Sequence, residues 1–353
     1  MKLLSYLKEG QLMINQIIPI FYVFVIALIG GFLFEMCSIP IPWMLGPLFS
    51  VLAAQFFIRA PLKWPLPIRN IGLVILGITI GQNFSLSILH TITNMFGYMI
   101  FFNIVFIALC LLLAYITFKW TNMSLSTAIT ASVPGALGQI IVFAEEQKNI
   151  DVATVTYFHI IRVLAVVGVV PFIVSGHVVK GEVIADSSPL WAVGLLLVAS
   201  YGFARAVGKI NFPVPYFLGP VVFGILLNLV EINTPHLPLE LLNIAQIAVG
   251  AYIGLLLKPS SIKLPKSVLV FGLMNSVLLM FVSFLCAKLL MFMLDYSYAT
   301  SFLSTAPGGM DQMALIATSI HADPDIVTVF QLFRMLFLSF IILPLLKKFA
   351  PNS

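Results

Sequence analysis

Apolar residues gather into twelve long runs parted by short stretches of proline, glycine and charge, and within each run the apolar character is continuous, not alternating. Continuous runs of about 20 residues predict helices able to cross a hydrocarbon core about 30 Å thick, and they argue against a transmembrane β-barrel. The runs fall at 17–37, 43–58, 68–84, 89–118, 124–147 and 151–176, then at 189–207, 216–230, 239–257, 267–294, 299–320 and 324–346. The first follows Lys2 and Lys8 but is too long for the apolar core of a cleavable leader and lacks a small-x-small exit. It is predicted to remain as the first helix.

These twelve runs are one set of six written twice. Residues 39–56 read IPIPWMLGPLFSVLAAQF, and 173 positions later residues 212–229 read FPVPYFLGPVVFGILLNL. The same offset pairs Gly77 and Gly81 with Gly250 and Gly254, and Pro134-Gly135 with Pro307-Gly308. One deleted residue later, Asp151 to Arg162 (DVATVTYFHIIR) aligns with Asp323 to Arg334 (DPDIVTVFQLFR). The division predicted is an N-terminal segment at 1–16, a first membrane repeat at 17–178, a linker at 179–188 and a second membrane repeat at 189–348.

Composition agrees with lipid as the main solvent: 61% of residues are hydrophobic and 9% charged, with a mean hydropathy of +1.10. Soluble domains carry about 25% charged residues. The net charge of +5 matters through its placement. Twelve full crossings would put Lys148, Arg205, Lys209, Lys258, Lys263 and Lys266 outside the cell, against the positive-inside rule. If the fifth run of each repeat instead doubles back, all six join the inside loops and only Lys180 stays outside. The fold class predicted is therefore an all-α polytopic membrane protein of two inverted repeats. Each makes about five crossings and carries one Pro-Gly-broken re-entrant hairpin, with both termini cytoplasmic and the chain in the plasma membrane. Proline removes a helix donor and glycine tolerates a tight tip, which places the break in the fifth run. A kinked crossing helix is the alternative reading.

The two tips, Ser132 to Gln139 and Thr305 to Gln312, hold the candidate chemistry. Pro134, Gly135 and Gln139 match Pro307, Gly308 and Gln312, with Gly309 beside them. A half-helix leaving such a break offers free N–H groups and a positive dipole end to an anion. Arg162 and Arg334 each lie 11 residues after a boundary aspartate, about 16 Å along a helix and so near mid-membrane. A buried arginine there costs at least about 2.5 kcal/mol and points to function. The alternative is a structural arginine that caps carbonyls freed at the breaks or pairs with Asp311. Asp311 is the one carboxylate at a tip, opposite Gly138 in the other repeat, and reads as a coupling residue for protons or sodium. His159, one turn before Arg162 and replaced by Gln331 in the second repeat, is a second coupling candidate, although a lone helical histidine is more often packed than functional.

Metal chemistry finds no support. His90, His159, His177, His236 and His321 never pair at helical spacing, and Cys37, Cys110 and Cys286 stand isolated. No phosphate-binding loop of the G-x-x-x-x-G-K-[ST] type occurs, and no polar stretch is long enough for a DNA-binding domain. The reading is a non-enzymatic secondary transporter of a small anionic or zwitterionic solute, coupled to protons or sodium. Its partners are that solute and the bilayer, not nucleic acid, with no cofactor and with homo-oligomerisation left open.

The duplicated P-x-P-x-x-L-G-P block (Pro40 to Pro47, Pro213 to Pro220) with a later P-G-[AG] block in each half resembles the AbrB-type integral membrane family, over about 19–346. That family shares its name with an unrelated small DNA-binding regulator. The resemblance implies an integral membrane fold, and the labels attached to it are regulation of gene expression and ammonia monooxygenase. Its second P-G-G block continues to a glutamate where Gln312 stands here; in this chain the acid comes one residue earlier, at Asp311.

Overall fold

The computed structural model describes the chain except at positions 1, 59–60, 84–86, 136, 148, 176–188, 211, 213, 233, 260–263, 321, 343 and 347–353. The 179–188 linker, with Lys180, lies outside the described residues. Among those described the chain is all helical, in fourteen α-helices. From the first half come α1 (Lys2–Met36), α2 (Pro42–Phe57), α3 (Leu66–Asn83), α4 (Ser87–Trp120), α5 (Leu125–Ser132), α6 (Leu137–Glu146) and α7 (Val152–Ser175). The second half supplies α8 (Leu190–Gly208), α9 (Pro215–Leu229), α10 (Leu239–Gly254), α11 (Lys266–Leu294), α12 (Tyr298–Thr305), α13 (Met310–Ser319) and α14 (Pro324–Phe337).

Six of these helices contain stretches long and apolar enough to cross a membrane: Ile17–Met36, Thr93–Trp120, Val152–Val174, Leu190–Gly208, Lys266–Leu294 and Pro324–Leu346. Their mean hydropathy runs from 1.6 to 2.7. Lipid as solvent is legible on α11, where Val270, Val277, Phe281, Leu285 and Phe292 are exposed while Asn275, Ser276 and Ser283 are buried. That is the reverse of a soluble helix. Two boundaries differ from expectation. Helix α1 begins at Lys2, ahead of the apolar run at Ile17, and α14 gives way to a π-helical turn at Leu338–Ile342.

The chain packs as two compact units, each drawn from both halves of the sequence: 1–82 with 184–259, and 83–183 with 260–353. In the first unit the repeat halves interlock through glycine. A side chain at Gly77 or Gly81 of α3 would lie 2.3 or 2.4 Å from the Phe217 or Val221 carbonyl oxygen of α9. Reciprocally, Gly250 and Gly254 of α10 would meet the Met44 and Leu48 carbonyl oxygens of α2 at 2.4 and 2.6 Å. Every partner in one contact is the repeat counterpart of a partner in the other. Paired small residues let membrane helices approach backbone to backbone, where dispersion does the work that the hydrophobic effect does in water. Helices α2 and α9 also start alike, each following a β-branched residue in the left-handed region: Ile41 at φ 51° and Val214 at φ 42°.

The second unit repeats the exchange. Helix α11 packs on α7 and α4 on α14, so each half leans on the other. Met95, Met99 and Phe102 of α4 join Cys286 and Leu290 of α11 and Ile326 and Phe330 of α14 in one apolar cluster. A second cluster carries Phe106, Ile107 and Cys110 of α4 to Val133, at the break between α5 and α6.

Candidate functional site

Both broken segments lie in the second unit, and both turn back on themselves. Ser124 accepts the Thr127 backbone N–H at 3.1 Å, capping α5, and its hydroxyl donates to the Asn149 carbonyl, 2.8 Å away and just past α6. Thr127 Oγ1 then accepts the Asp151 N–H at 3.0 Å. The second copy repeats the clasp: Ser297 accepts the Thr300 N–H at 3.1 Å, and Thr300 Oγ1 accepts the Asp323 N–H at 3.1 Å. The first residues of α5 and α12 thus touch the residues that follow α6 and α13. A kinked crossing helix would hold those ends about a membrane thickness apart, so both segments are hairpins. Each arm has 8 or 10 residues, about 12 to 15 Å, enough to reach mid-membrane.

Arg334 is 7% exposed and spends its guanidinium on the second hairpin's break. It donates to the carbonyls of Thr305 at 3.1 Å, Ala306 at 2.8 Å and Gly308 at 3.3 Å, and to Gln331 Oε1. Gln331 Nε2 in turn donates to Leu303 O at 2.6 Å and Ala306 O at 3.1 Å. The Pro307 break strips these carbonyls of their helical partners, and two side chains from α14 replace them. The guanidinium carbon also lies 5.6 Å from the centre of the Phe106 ring. Arg334 therefore binds carbonyls, not the Asp311 carboxylate.

Arg162 differs sharply. It is 3% exposed, yet its Nε and Nη1 have no hydrogen-bond partner. Two other buried atoms have no hydrogen-bond partner: Ser132 Oγ at the end of α5 and His159 Nε2, one turn before Arg162 on α7. His159 Nδ1 sits 2.9 Å from the Val155 carbonyl, and the ring also faces the backbone of Val133 at the first break. Both guanidiniums lie within electrostatic reach of the Cys110 thiol and of each other. Among the described residues no carboxylate forms an ion pair with either arginine.

Of the other predicted residues, Pro134 and Gly135 form the first break and Pro307, Gly308 and Gly309 the second. Asp311 is buried in the first turn of α13, with Gln312 beside it; Gln312 Oε1 is buried without a partner. The Gln139 side chain lies outside the described residues. Sequence reasoning missed Asn103 and Ser304, which with Thr305, Phe102, Phe106, Cys286, Phe330 and Arg334 line a cavity of about 20 Å³. That is room for a water molecule or two. Buried Asn103 Oδ1 and Ser304 Oγ lack partners. Asn103 could have been found as an amide inside a run of mean hydropathy 2.7. The clasps carried a signal too, Ser-x-x-Thr repeated at the 173-residue offset.

Comparison with known proteins bears on all of this. The family described as transition state regulatory protein AbrB matches residues 43–350. The chain is 26% identical over 336 residues to the uncharacterized protein YhjN of Bacillus subtilis (strain 168), covering 87% of each chain. It is 25% identical over 329 residues to a protein of Escherichia coli (strain K12) named as a candidate regulator, AbrB, covering 88% of this chain and 90% of that one. With paired P-x-P starts, paired Pro-Gly hairpins and a family match over most of its length, the chain belongs to the AbrB family.

Proposed function

We propose that the protein is a secondary transporter of a small anionic or zwitterionic solute, working as two inverted repeats in the plasma membrane. One observation carries this reading: two arginines are buried beside two helix breaks and, among the described residues, neither forms an ion pair with a carboxylate. A buried unpaired charge costs several kcal/mol, and a ligand that brings the missing negative charge offsets it. Broken hairpins are tolerated at membrane depth only inside protein or against a watery cavity, and meeting half-helices are how many transporters bind solute near the midplane. The roughly 20 Å³ cavity beside Arg334 is too small for a metabolite, so solute entry would require the hairpins to part, as alternating access demands. In this reading both hairpins are re-entrant, from opposite faces, and both termini are cytoplasmic.

The word regulator in the family description and in the relative from Escherichia coli favours a second reading, control of gene expression. In a protein built of apolar helices, such control would act through the concentration of a transported or sensed solute. Reconstitution separates the two. Purified protein in liposomes should take up one of a panel of radiolabelled small anions and zwitterions when a proton or sodium gradient is imposed. Saturable binding of a solute without gradient-driven uptake of any would favour a sensor and end the transport proposal.

A further inference from the structure

The two hairpins are written as equivalents but are not equivalently satisfied. In the second, the side chains of Arg334 and Gln331 hold the carbonyls that the break frees, and Asp311 places a carboxylate in the first turn of α13, where the helix dipole favours negative charge. The first hairpin differs at each of these positions. Gly138 stands in place of Asp311, and the first turn of α6 has no acid. His159 stands in place of Gln331, and Arg162 makes none of the contacts to Ser132, Val133 and Gly135 that would mirror those of Arg334. What remains are Arg162 Nε and Nη1 and Ser132 Oγ, all without partners, on side chains 3% and 0% exposed.

Resting on the transport reading, we propose that the first hairpin is the site of a ligand carboxylate, received by Arg162 and Ser132. The Asp311 carboxylate of the second hairpin is the built-in counterpart of that ligand. Two kinds of observation agree on the class of ligand. The open groups are donors, a guanidinium and a hydroxyl, which suit an oxyanion. The one substitution that would add negative charge at this point of the repeat, Asp311 for Gly138, adds a carboxylate. Arg334, whose donors are already taken up by backbone, becomes a positioning residue for the hairpin, not a ligand-binding one.

The test uses the full chain in detergent and the simplest carboxylate, sodium acetate, against sodium chloride of equal ionic strength, with thermal unfolding as the readout. Acetate should raise the Tm of the wild type. R162Q should unfold at or above the wild-type Tm in chloride, because an unbalanced buried charge is gone, and should lose the acetate response by about tenfold or more in affinity. R334Q should unfold several degrees lower, because the Gly308 carbonyl loses its donor and the Thr305 and Ala306 carbonyls each lose one of two. G138D supplies the carboxylate within the chain and should abolish the acetate response without Arg162 being touched. The inference is overturned if acetate does not stabilise the wild type, if R162Q lowers the Tm as R334Q does, or if either R162Q or G138D responds to acetate like the wild type. Flux of radiolabelled acetate into liposomes at alkaline pH, above the protein-free background, tells the two proposals apart. Acetate stabilisation through Arg162 with uptake of no solute in the panel leaves this site and removes transport; acetate flux that survives R162Q removes this site and leaves transport.

Discussion

At the scale of single residues, the molecule separates glycines that are pressed against backbone from glycines that are not. Gly77 and Gly250 each face a carbonyl oxygen on a partner helix at a distance no Cβ tolerates, whereas Gly97 of α4 has nothing within 4 Å. Gly77→Leu and Gly250→Leu should therefore each lower stability by about 2–3 kcal/mol or more, because the neighbour to be displaced is main chain. Gly97→Leu should be close to neutral, and thermal unfolding in one detergent compares all three. Gln331 allows a sharper reading of the second hairpin. Gln331→Leu removes the donor to the Leu303 and Ala306 carbonyls and the acceptor for Arg334 together. Leaving buried groups unsatisfied costs about 1–3 kcal/mol each, so this variant should lose more stability than Thr318→Val. The Thr318 hydroxyl only donates back to Ala314 within its own helix, at 3.0 Å.

At the scale of elements, the hairpins stand on their clasps. Ser124→Ala and Ser297→Ala each remove an N-cap worth about 1 kcal/mol, and Ser124→Ala also removes the hydroxyl that donates to the Asn149 carbonyl across its clasp. The two clasps share no residue, so the double variant should be destabilised by the sum of the single effects. A loss much larger than the sum would show that the hairpins brace one another. Much of this level was legible in the chain. The apolar runs mark α2, α4, α7, α8, α9 and α11 to within a few residues, because in lipid a helix must be apolar along its length and its ends are marked by proline and charge. Charge placement and the Pro-Gly pair located the hairpins. The rest required knowledge of what lies opposite in space. The order of residues separates the two arginines only through their neighbours, Gln331 against His159 and Asp311 against Gly138, and does not say which of them bonds the carbonyls of its break. Nor does β-branched chemistry announce a left-handed Ile41 or Val214, since that conformation is disfavoured for both and is imposed by packing.

At the scale of the whole molecule, the sequence halves and the packing units divide the chain differently, and this has a consequence for folding. Helix α3 needs α9 and α10 needs α2, while α11 packs on α7 and α4 on α14. Neither half contains a closed set of partners. Residues 1–178 and 189–348 expressed as separate chains should each fail to give folded protein, and co-expressed they should associate and be recovered together; a half that folds alone would contradict the interlocked packing. Topology is the remaining test at this scale. Inverted repeats put the 179–188 linker outside and the loop before α11 inside, because only then do Lys258, Lys263 and Lys266 meet the positive-inside rule while Lys180 stands alone opposite. In a variant stripped of Cys37, Cys110 and Cys286, single cysteines at 180 and 263 should therefore be labelled by an impermeant maleimide from opposite faces of the membrane. Labelling of both from one face would leave the hairpins and the arginines where they are but make the repeats parallel. The two half-helix ends would then open towards the same side, and a site alternating between the two faces could not be built from them.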